Sequence, residues 1–505
     1  MNEVPVLIVG GGPVGMTLAL DLGWRGVPCL MVEETDRILT VPRANTVSAR
    51  SMEHFRRLGI AQYARPDCQR TTRPTSATAP VSVARSCTGS RCPPPPKSSP
   101  AQVVATTVRP SNPRIASPSS ISNRSSSTTA ATRIVHADFL VGCDGGNSLV
   151  RQQLGAQLTG TDTVFQAVST YFRAPALNEY IRPRTWMTWS MNRDALGVTI
   201  AIDGQALWLT HTFLPTDTDT DLIDPGTLIT RAVGSEVPHE ILGVDRWTGR
   251  RLVADRYGSD RVFIAGDAAH LWIPMAGMGM NTGISEAAHL AWMLAAVHAG
   301  WAGPRLLDAY EIERRPVAEA ISRFATGIGE ALLDLGDTEV VEDDSPFGIS
   351  SRQQLGRAVA AADADQHKPI GLSFGYHYYG SPLLADDQPP PEFAIGTYQP
   401  STAPGARLPR LTLADGTSVY DRLGRDFTLL RVGPDPPDPG PILRAAAERA
   451  VPVDVLDLPS EEAVERYEKL LMLVRPDQRI AWRGAATPTQ PALLIDRIRG
   501  GSRVG

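Results

Sequence analysis

Residues 4 to 33 restrict the fold more than any other stretch. Val4-Pro-Val-Leu-Ile-Val9 is an apolar run short enough for a buried strand, and Gly10-Gly-Gly-Pro-Val-Gly15 follows without a spacer. An Ala/Leu-rich helix then runs through Leu22, and Val27 to Val32 reads as a second buried strand closing on Glu33. Each glycine has its own reason to be there. Gly10 permits the tight turn, Gly12 lets the backbone approach a pyrophosphate, and Gly15 lets the helix pack close to the strand. Glu33 stands where an acid accepts ribose hydroxyls, and an acid there fits an unphosphorylated ribose, as in FAD or NAD. Glycines alone would mean only a turn. With strand, helix, strand and acid in order they predict a Rossmann-like α/β domain.

A second stretch has the complementary layout. In Arg261-Val-Phe-Ile-Ala-Gly266-Asp267-Ala-Ala-His270, Val262 to Ala265 reads as a buried strand ending at a carboxylate. A Gly-punctuated loop carries Pro274, Gly277, Gly279, Met280 and Asn281, and an apolar helix is expected to begin near Thr282. A carboxylate at a strand end suits cofactor hydroxyls, and free N–H groups at a helix start suit negative charge. The two stretches together predict a bipartite FAD site.

Two more motifs lie between them: Val41-Pro-Arg43-Ala before an amphipathic helix, and Asp144-Gly145-Gly-Asn-Ser148-Leu-Val-Arg151 after a strand. With these, the chain resembles the single-component FAD-dependent aromatic hydroxylases, the p-hydroxybenzoate hydroxylase-like group that includes phenylpropionate and polyketide hydroxylases. The resemblance implies that Arg43 contacts FAD and that Asp144 and Gly145 lie near its pyrophosphate, in a motif tied to NAD(P)H use. It implies Asp267 on the ribitol, Pro274 against the ring, and the N–H groups of Gly279 and Met280 at the flavin N1/C2=O edge. Gly266, Gly277 and Asn281 match the same motif. Departures are Ala276 for a common Gly, Glu286 for Asp, His289 for Asn and Met293 for Lys. The activity implied is hydroxylation of a small phenolic or other aromatic substrate. NADH or NADPH would reduce FAD, and O2 would add to form a flavin hydroperoxide that the ring attacks. Only one GxGxxG is present, so the nicotinamide is expected to have no Rossmann domain of its own.

The 505 residues are too many for one core. The expected division is an FAD-binding domain over 1–160 and 256–330, a substrate domain over 161–255, a connector over 331–395 and a C-terminal domain over 396–505. The substrate domain shows strand alternation, as in Thr185 to Asn192, Leu196 to Ile202 and Leu207 to Phe213, with Asp203-Gly204 as a hairpin signal. Trp186, Trp208 and His211, with Trp189, are candidates for an aromatic pocket. The C-terminal part resembles the thioredoxin-like domain of larger family members. It has no cysteine, which removes thiol chemistry and leaves stability or dimerisation as its expected role.

Residues 66–133 differ from the rest: after Asp67 they contain no acid, and they are crowded with Ser, Thr, Pro and Arg. No apolar period survives, so ordering them would not be offset by burial. They read either as a disordered basic linker or, as we prefer, as out-of-frame translation with the frame restored near Ile134. A hydroxylase homologue whose site this segment disrupts, and another FAD-dependent oxidoreductase of the same fold, are the alternative readings. Flavin-dependent halogenases share the fold, but Trp186 and Trp189 lack the spacing of the halogenase Trp-x-Trp motif. A net charge of −5 offers no case for nucleic acid or an anionic membrane. The five cysteines form no CxxC or zinc spacing, no metal is expected, and no secretion signal is apparent, so a cytoplasmic protein is expected.

Overall fold

The computed structural model describes residues 2–35, 42, 46–64, 75–76, 79–80, 109–110, 134–181, 185–192, 194–333, 339–367, 369–385 and 387–501. Arg43 and nearly all of the 66–133 segment lie outside the described residues. Strand β1 (Asn2–Val9), helix α1 (Pro13–Trp24) and strand β2 (Cys29–Val32) form the unit read from the first stretch. Helix α2 (Ala49–Arg57), strand β3 (Ile134–Gly142) and helix α3 (Leu149–Leu154) follow. β1 lies between β2 and β3, parallel to both. Covered on both faces, it is apolar throughout its centre: Val6 and Ile8 join one core, Leu7 another with Val32 and Val135.

The next strands build a separate antiparallel sheet: β4 (Leu158–Arg173), β5 (Met187–Asn192), β6 (Ala195–Ala201), β7 (Leu207–Leu214) and, after helix α4 (Pro225–Val233), β8 (Glu240–Ala254). The Asp203 carboxylate accepts three N–H bonds, from Gln205, Ala206 and Leu207, each 2.9 Å, which closes the expected hairpin. The chain then returns to the first sheet with β9 (Gly258–Ser259) and β10 (Val262–Ile264), the latter parallel to β3. Part of the stretch expected to be loop is a strand. β11 (His270–Trp272) pairs antiparallel with β8 and makes the second sheet β11-β8-β4-β7-β6-β5. The cofactor motif therefore belongs to both sheets.

Helix α5 (Met278–His298) begins four residues before the expected Thr282 and is buried on nearly every side. Helix α6 (Asp308–Leu333) follows it. The stretch read as connector holds a further helix, α7 (Pro346–His367), whose Leu355 and Val359 pack under the second sheet. Its Ala, Gln and Arg residues favour helix but give no apolar stripe, so periodicity passes over it. The C-terminal domain consists of β12 (Phe427–Val432), α8 (Gly440–Ala447), β13 (Val453–Leu458), α9 (Glu461–Tyr467), β14 (Leu471–Val474), β15 (Ile480–Gly484) and α10 (Pro491–Ile498). Its sheet order is β13-β12-β14-β15, with only β12 and β13 parallel.

Buried charge joins this domain to the helices. Arg475 grips Glu313 on α6 with two 2.7 Å bonds and also holds Asp477. His289 on α5 lies between the same two acids, 2.9 Å from Glu313 and 3.1 Å from Asp477, although neither N–H is aimed well enough to count as a hydrogen bond. Burial alone would raise the Glu313 carboxyl. The Arg475 guanidinium outweighs it and holds the value at about 2, against an ordinary 4.5. With the folded value below the unfolded one, the stabilisation is full above about pH 4.5 and disappears as pH falls toward 2. We expect the thermal midpoint to drop across that window. Glu313→Gln, destabilised at pH 7 by on the order of 3 kcal/mol, should show a shallower drop when melting is followed by calorimetry.

Candidate functional site

Two of the three fingerprint glycines are required by close backbone contacts, and the third faces open space. A Cβ on Gly10, at φ 106°, would stand 2.2 Å from the Cys143 carbonyl oxygen at the end of β3. A Cβ on Gly15 would stand 2.0 Å from the Gly10 carbonyl oxygen, whereas one on Gly12 would meet nothing within 4 Å. Gly12 thus faces open space at a helix start that no side chain caps, which is what a pyrophosphate needs. Glu33 accepts the N–H of Gly11 at 2.5 Å and that of Thr35 at 3.1 Å. Partial burial pulls its pKa up, but these donors outweigh burial and lower it, so Glu33 is a carboxylate at neutral pH.

Asp144 is engaged as a helix cap. It accepts the Ser148 hydroxyl at 2.5 Å and the Val150 N–H at 3.1 Å, while Gly145 takes the left-handed conformation at φ 77°. Arg151 donates to the Gly146 carbonyl at 2.7 Å and to the Ala268 carbonyl at 3.1 Å. It therefore ties the Asp144–Gly145 loop to the turn after β10. The matching Ser148 and Arg151 of the motif are structural supports of that junction.

At the other half, Gly266 turns at φ 64°, with Val14 of α1 only 2.8 Å from where its Cβ would be. Asp267 is exposed between the buried Gly266 and Ala268. Beneath the turn lies Glu286, fully buried, which accepts the Gly266 N–H at 2.9 Å and faces His270 Nε2 at 3.0 Å. His270 stacks on Trp272 at 4.3 Å. Glu286, standing where Asp is usual, therefore holds the loop up through its carboxylate. The sequence signal was a lone acid in an apolar helix, which needs a buried partner.

Pro274 is exposed, and Ala276 and Gly277 follow with φ of 58° and 62°. Both positions are left-handed, which explains the glycine common at the place of Ala276. Among the described residues no side chain caps the start of α5 or claims the N–H groups of Met278, Gly279 and Met280. A Cβ on Gly279 would have no neighbour closer than 3.9 Å. Asn281 has another task. Its oxygen accepts the Ser48 N–H at 2.8 Å and the Ser51 hydroxyl at 2.7 Å, while its amide donates to the carbonyls of Gly277 at 2.5 Å and Thr46 at 3.2 Å. Open space at Gly12, two uncapped helix starts, and acids at the ends of β2 and β10 together fit FAD. Replacing Ala276 by Gly should relieve the left-handed strain and raise stability by about 1 kcal/mol, read as a higher thermal midpoint of the apoprotein.

The inner face of the second sheet meets this loop through Ile273 and Met275, which pack with Phe165, Leu209, Phe213 and, at their edge, Trp186, Trp189 and Trp247. His211 lies on this face beside Phe213 and Leu209, with Ser169 opposite it on β4. The Ser169 oxygen accepts the Trp247 N–H at 2.8 Å and is 2.7 Å from His211 Nδ1. Desolvation pushes the His211 pKa down to about 4. Trp208 is a correction. In a strand, neighbouring parities face opposite sides, and Trp208 packs with Phe172, Leu177 and Ile229 on the outer face, its N–H bonded to the Ala174 carbonyl at 3.0 Å. It does not share a pocket with His211. Ser169 and Trp247 were missed, because a lone serine and a tryptophan in separate strands carry no signal until register brings them together.

His289, Glu313 and Asp477 are close enough to suit a cation, but Arg475 already supplies positive charge to both carboxylates. A shallow cleft lined by Phe374, Tyr376, Tyr398 and Arg407 belongs to the connector and C-terminal domain, and its Tyr376 packs in one cluster with Ala276 of the loop before α5 and Met278 at the helix start.

Residues 3–93 and 119–325 match the FAD binding domain family, and 401–499 match the aromatic-ring hydroxylase C-terminal family. The chain belongs to the FAD-dependent monooxygenases of this aromatic hydroxylase type. Across 99% of its length it is 30% identical to FAD-dependent monooxygenase apdD of Emericella nidulans, covering 90% of that protein. It is likewise 30% identical to 4-methyl-5-nitrocatechol 5-monooxygenase of a Burkholderia species, over 98% of this chain and 97% of that one. The structure of the rebeccamycin biosynthetic enzyme RebC with reduced flavin superposes with a TM-score of 0.84 at 32% identity, covering 99% of this chain and 100% of RebC. Among the described residues no helix is long and apolar enough to cross a membrane.

Proposed function

We propose that this chain uses NADH or NADPH and O2 to hydroxylate a phenolic or related aromatic substrate held between the flavin loop and the inner face of the second sheet. The observation that carries the reading is the meeting of Ile273 and Met275, from the loop after Asp267, with an aromatic sheet face that bears the hydrogen-bonded Ser169–His211–Trp247 group. Bound FAD would supply the redox and oxygen chemistry. The protein's part is placement: Gly10, Gly12 and Gly15 around the pyrophosphate, Glu33 on the adenosine ribose, Asp267 on the ribitol, and the Gly279 and Met280 N–H groups at the ring edge. Apolar walls at Phe165, Phe213 and Trp189 would exclude water and accept a planar ring. With Trp247 donating to Ser169, the serine proton is available to His211 Nδ1. A neutral ring then carries its own proton on Nε2, a donor for a substrate oxygen.

The sheet order of the C-terminal domain supports reading it as thioredoxin-like without thiol chemistry. Residues 66–133 we take to be out of frame: the family match breaks off at 93 and resumes at 119, and the apdD alignment runs to 566 positions against 505 residues here. The coding DNA tests this, since a shifted frame must encode family-like sequence there.

Reconstitution with FAD followed by a panel of phenols tests the main reading. Phenol-stimulated NADH or NADPH oxidation with an oxygenated product is expected, and yellow protein without such stimulation would sink hydroxylation while leaving FAD binding intact. Asp267→Ala should weaken FAD binding at least about ten-fold with the fold unchanged by circular dichroism. His211→Phe should leave FAD affinity alone and lower kcat/KM for the best phenol by roughly ten- to a hundred-fold.

A further inference from the structure

One turn of the C-terminal domain, Arg475 to Arg479 between β14 and β15, reaches both α2 and α5. Gln478 within it has φ 68°, a left-handed conformation that glycine adopts more readily. Gln478 is buried, and its amide oxygen accepts from Arg50 Nη1 at 2.5 Å. The Asp477 carbonyl accepts from Arg50 Nη2 at 2.9 Å. Arg50 stands in the first turn of α2, beside the buried Ser51 whose hydroxyl donates to Asn281. About two helical turns along α5 from Asn281, His289 meets Asp477 of the same turn. Asn281 therefore joins α2 to α5 at the flavin end, and the Arg475–Arg479 turn joins them again behind it.

We propose that this turn is a positioning element of the flavin site, with Arg50 and Gln478 as its positioning residues. By holding α2 against α5 it fixes the start of α5, and so the direction of the Gly279 and Met280 N–H groups. A domain without thiols thereby acts on flavin affinity and potential from outside the cofactor pocket. The strained Gln478 supports this: a glycine would satisfy the backbone, but only a side chain at 478 adds the amide acceptor for Arg50 to those of Asp477 and Glu53. The inference rests on the reading of the α5 start as the flavin edge.

The test uses the full chain and FAD alone, with affinity from flavin fluorescence and the midpoint potential from dye-linked reduction. Gln478→Gly keeps the turn and removes the acceptor, Arg50→Met removes the donor, and Arg50→Lys retains its charge. Arg56→Ala is the control, since it cuts the exposed Arg56–Asp421 bridge between the same helix and the same domain. Gln478→Gly and Arg50→Met should each weaken FAD binding about ten-fold and make the potential more negative. Arg50→Lys should fall between them and the unaltered protein, and Arg56→Ala should match the unaltered protein. Folded Gln478→Gly with unaltered affinity and potential overturns the proposal, as does an equal loss in Arg56→Ala. If Arg50→Met fails to fold, Gln478→Gly decides alone. Failure of the unaltered chain to take up FAD would instead overturn the flavin reading beneath it.

Discussion

The candidate site depends on where one buried helix begins. α5 starts at Met278 with no side chain over its first N–H groups, and Asn281 in its first turns makes four hydrogen bonds to the segments on either side. Those bonds fix the loop at Gly277 and the start of α2 together. Left-handed residues at Ala276 and Gly277 let the chain leave the exposed Pro274 and enter the helix within a few residues. Strain and hydrogen bonding are thus concentrated where the flavin ring would meet protein, as expected of a site that must be rigid before its cofactor arrives.

Around that point, the fold is held by buried polar groups that each finish another's hydrogen bonding. Glu286 supports the Gly266 turn from below, Arg151 links the Asp144 and Ala268 loops, and Arg475 neutralises Glu313 and Asp477. None of these needs to touch the cofactor. In a low-dielectric interior an unpaired carboxylate costs several kcal/mol, so removing one partner displaces the others. This is how residues far apart in the chain come to act on one site. The departures from the family pattern at Glu286 and His289 fall inside these networks, where a longer acid or an imidazole must meet fixed partners.

The second sheet shows the opposite economy. Its inner face is apolar and aromatic, with the Ser169–His211–Trp247 group as a polar interruption. β11 continues the chain from the Asp267 turn directly into this sheet, so the turn and the aromatic face of the sheet share one backbone. A shift in either would be felt by the other.

The cofactor half of the fold was legible in the residues because glycine, acid and apolar run answer to local geometry. A tight turn, a close helix and a strand end each demand a residue type at a set spacing. What periodicity could not supply was anything that depends on register or distant pairing. That Trp208 and His211 face opposite sides of the sheet follows from parity, but their neighbours follow only from strand pairing. That His270 to Trp272 is strand, not loop, required β8 beside it. That α7 is helix required a sheet to pack against, since its own sequence has no apolar stripe. The contacts of Arg50 with Gln478 and Asp477 span more than four hundred positions, and no local rule reaches that far. Short-range sterics wrote the cofactor fingerprint into the sequence, while long-range pairing of buried charge and sheet register settled what surrounds it.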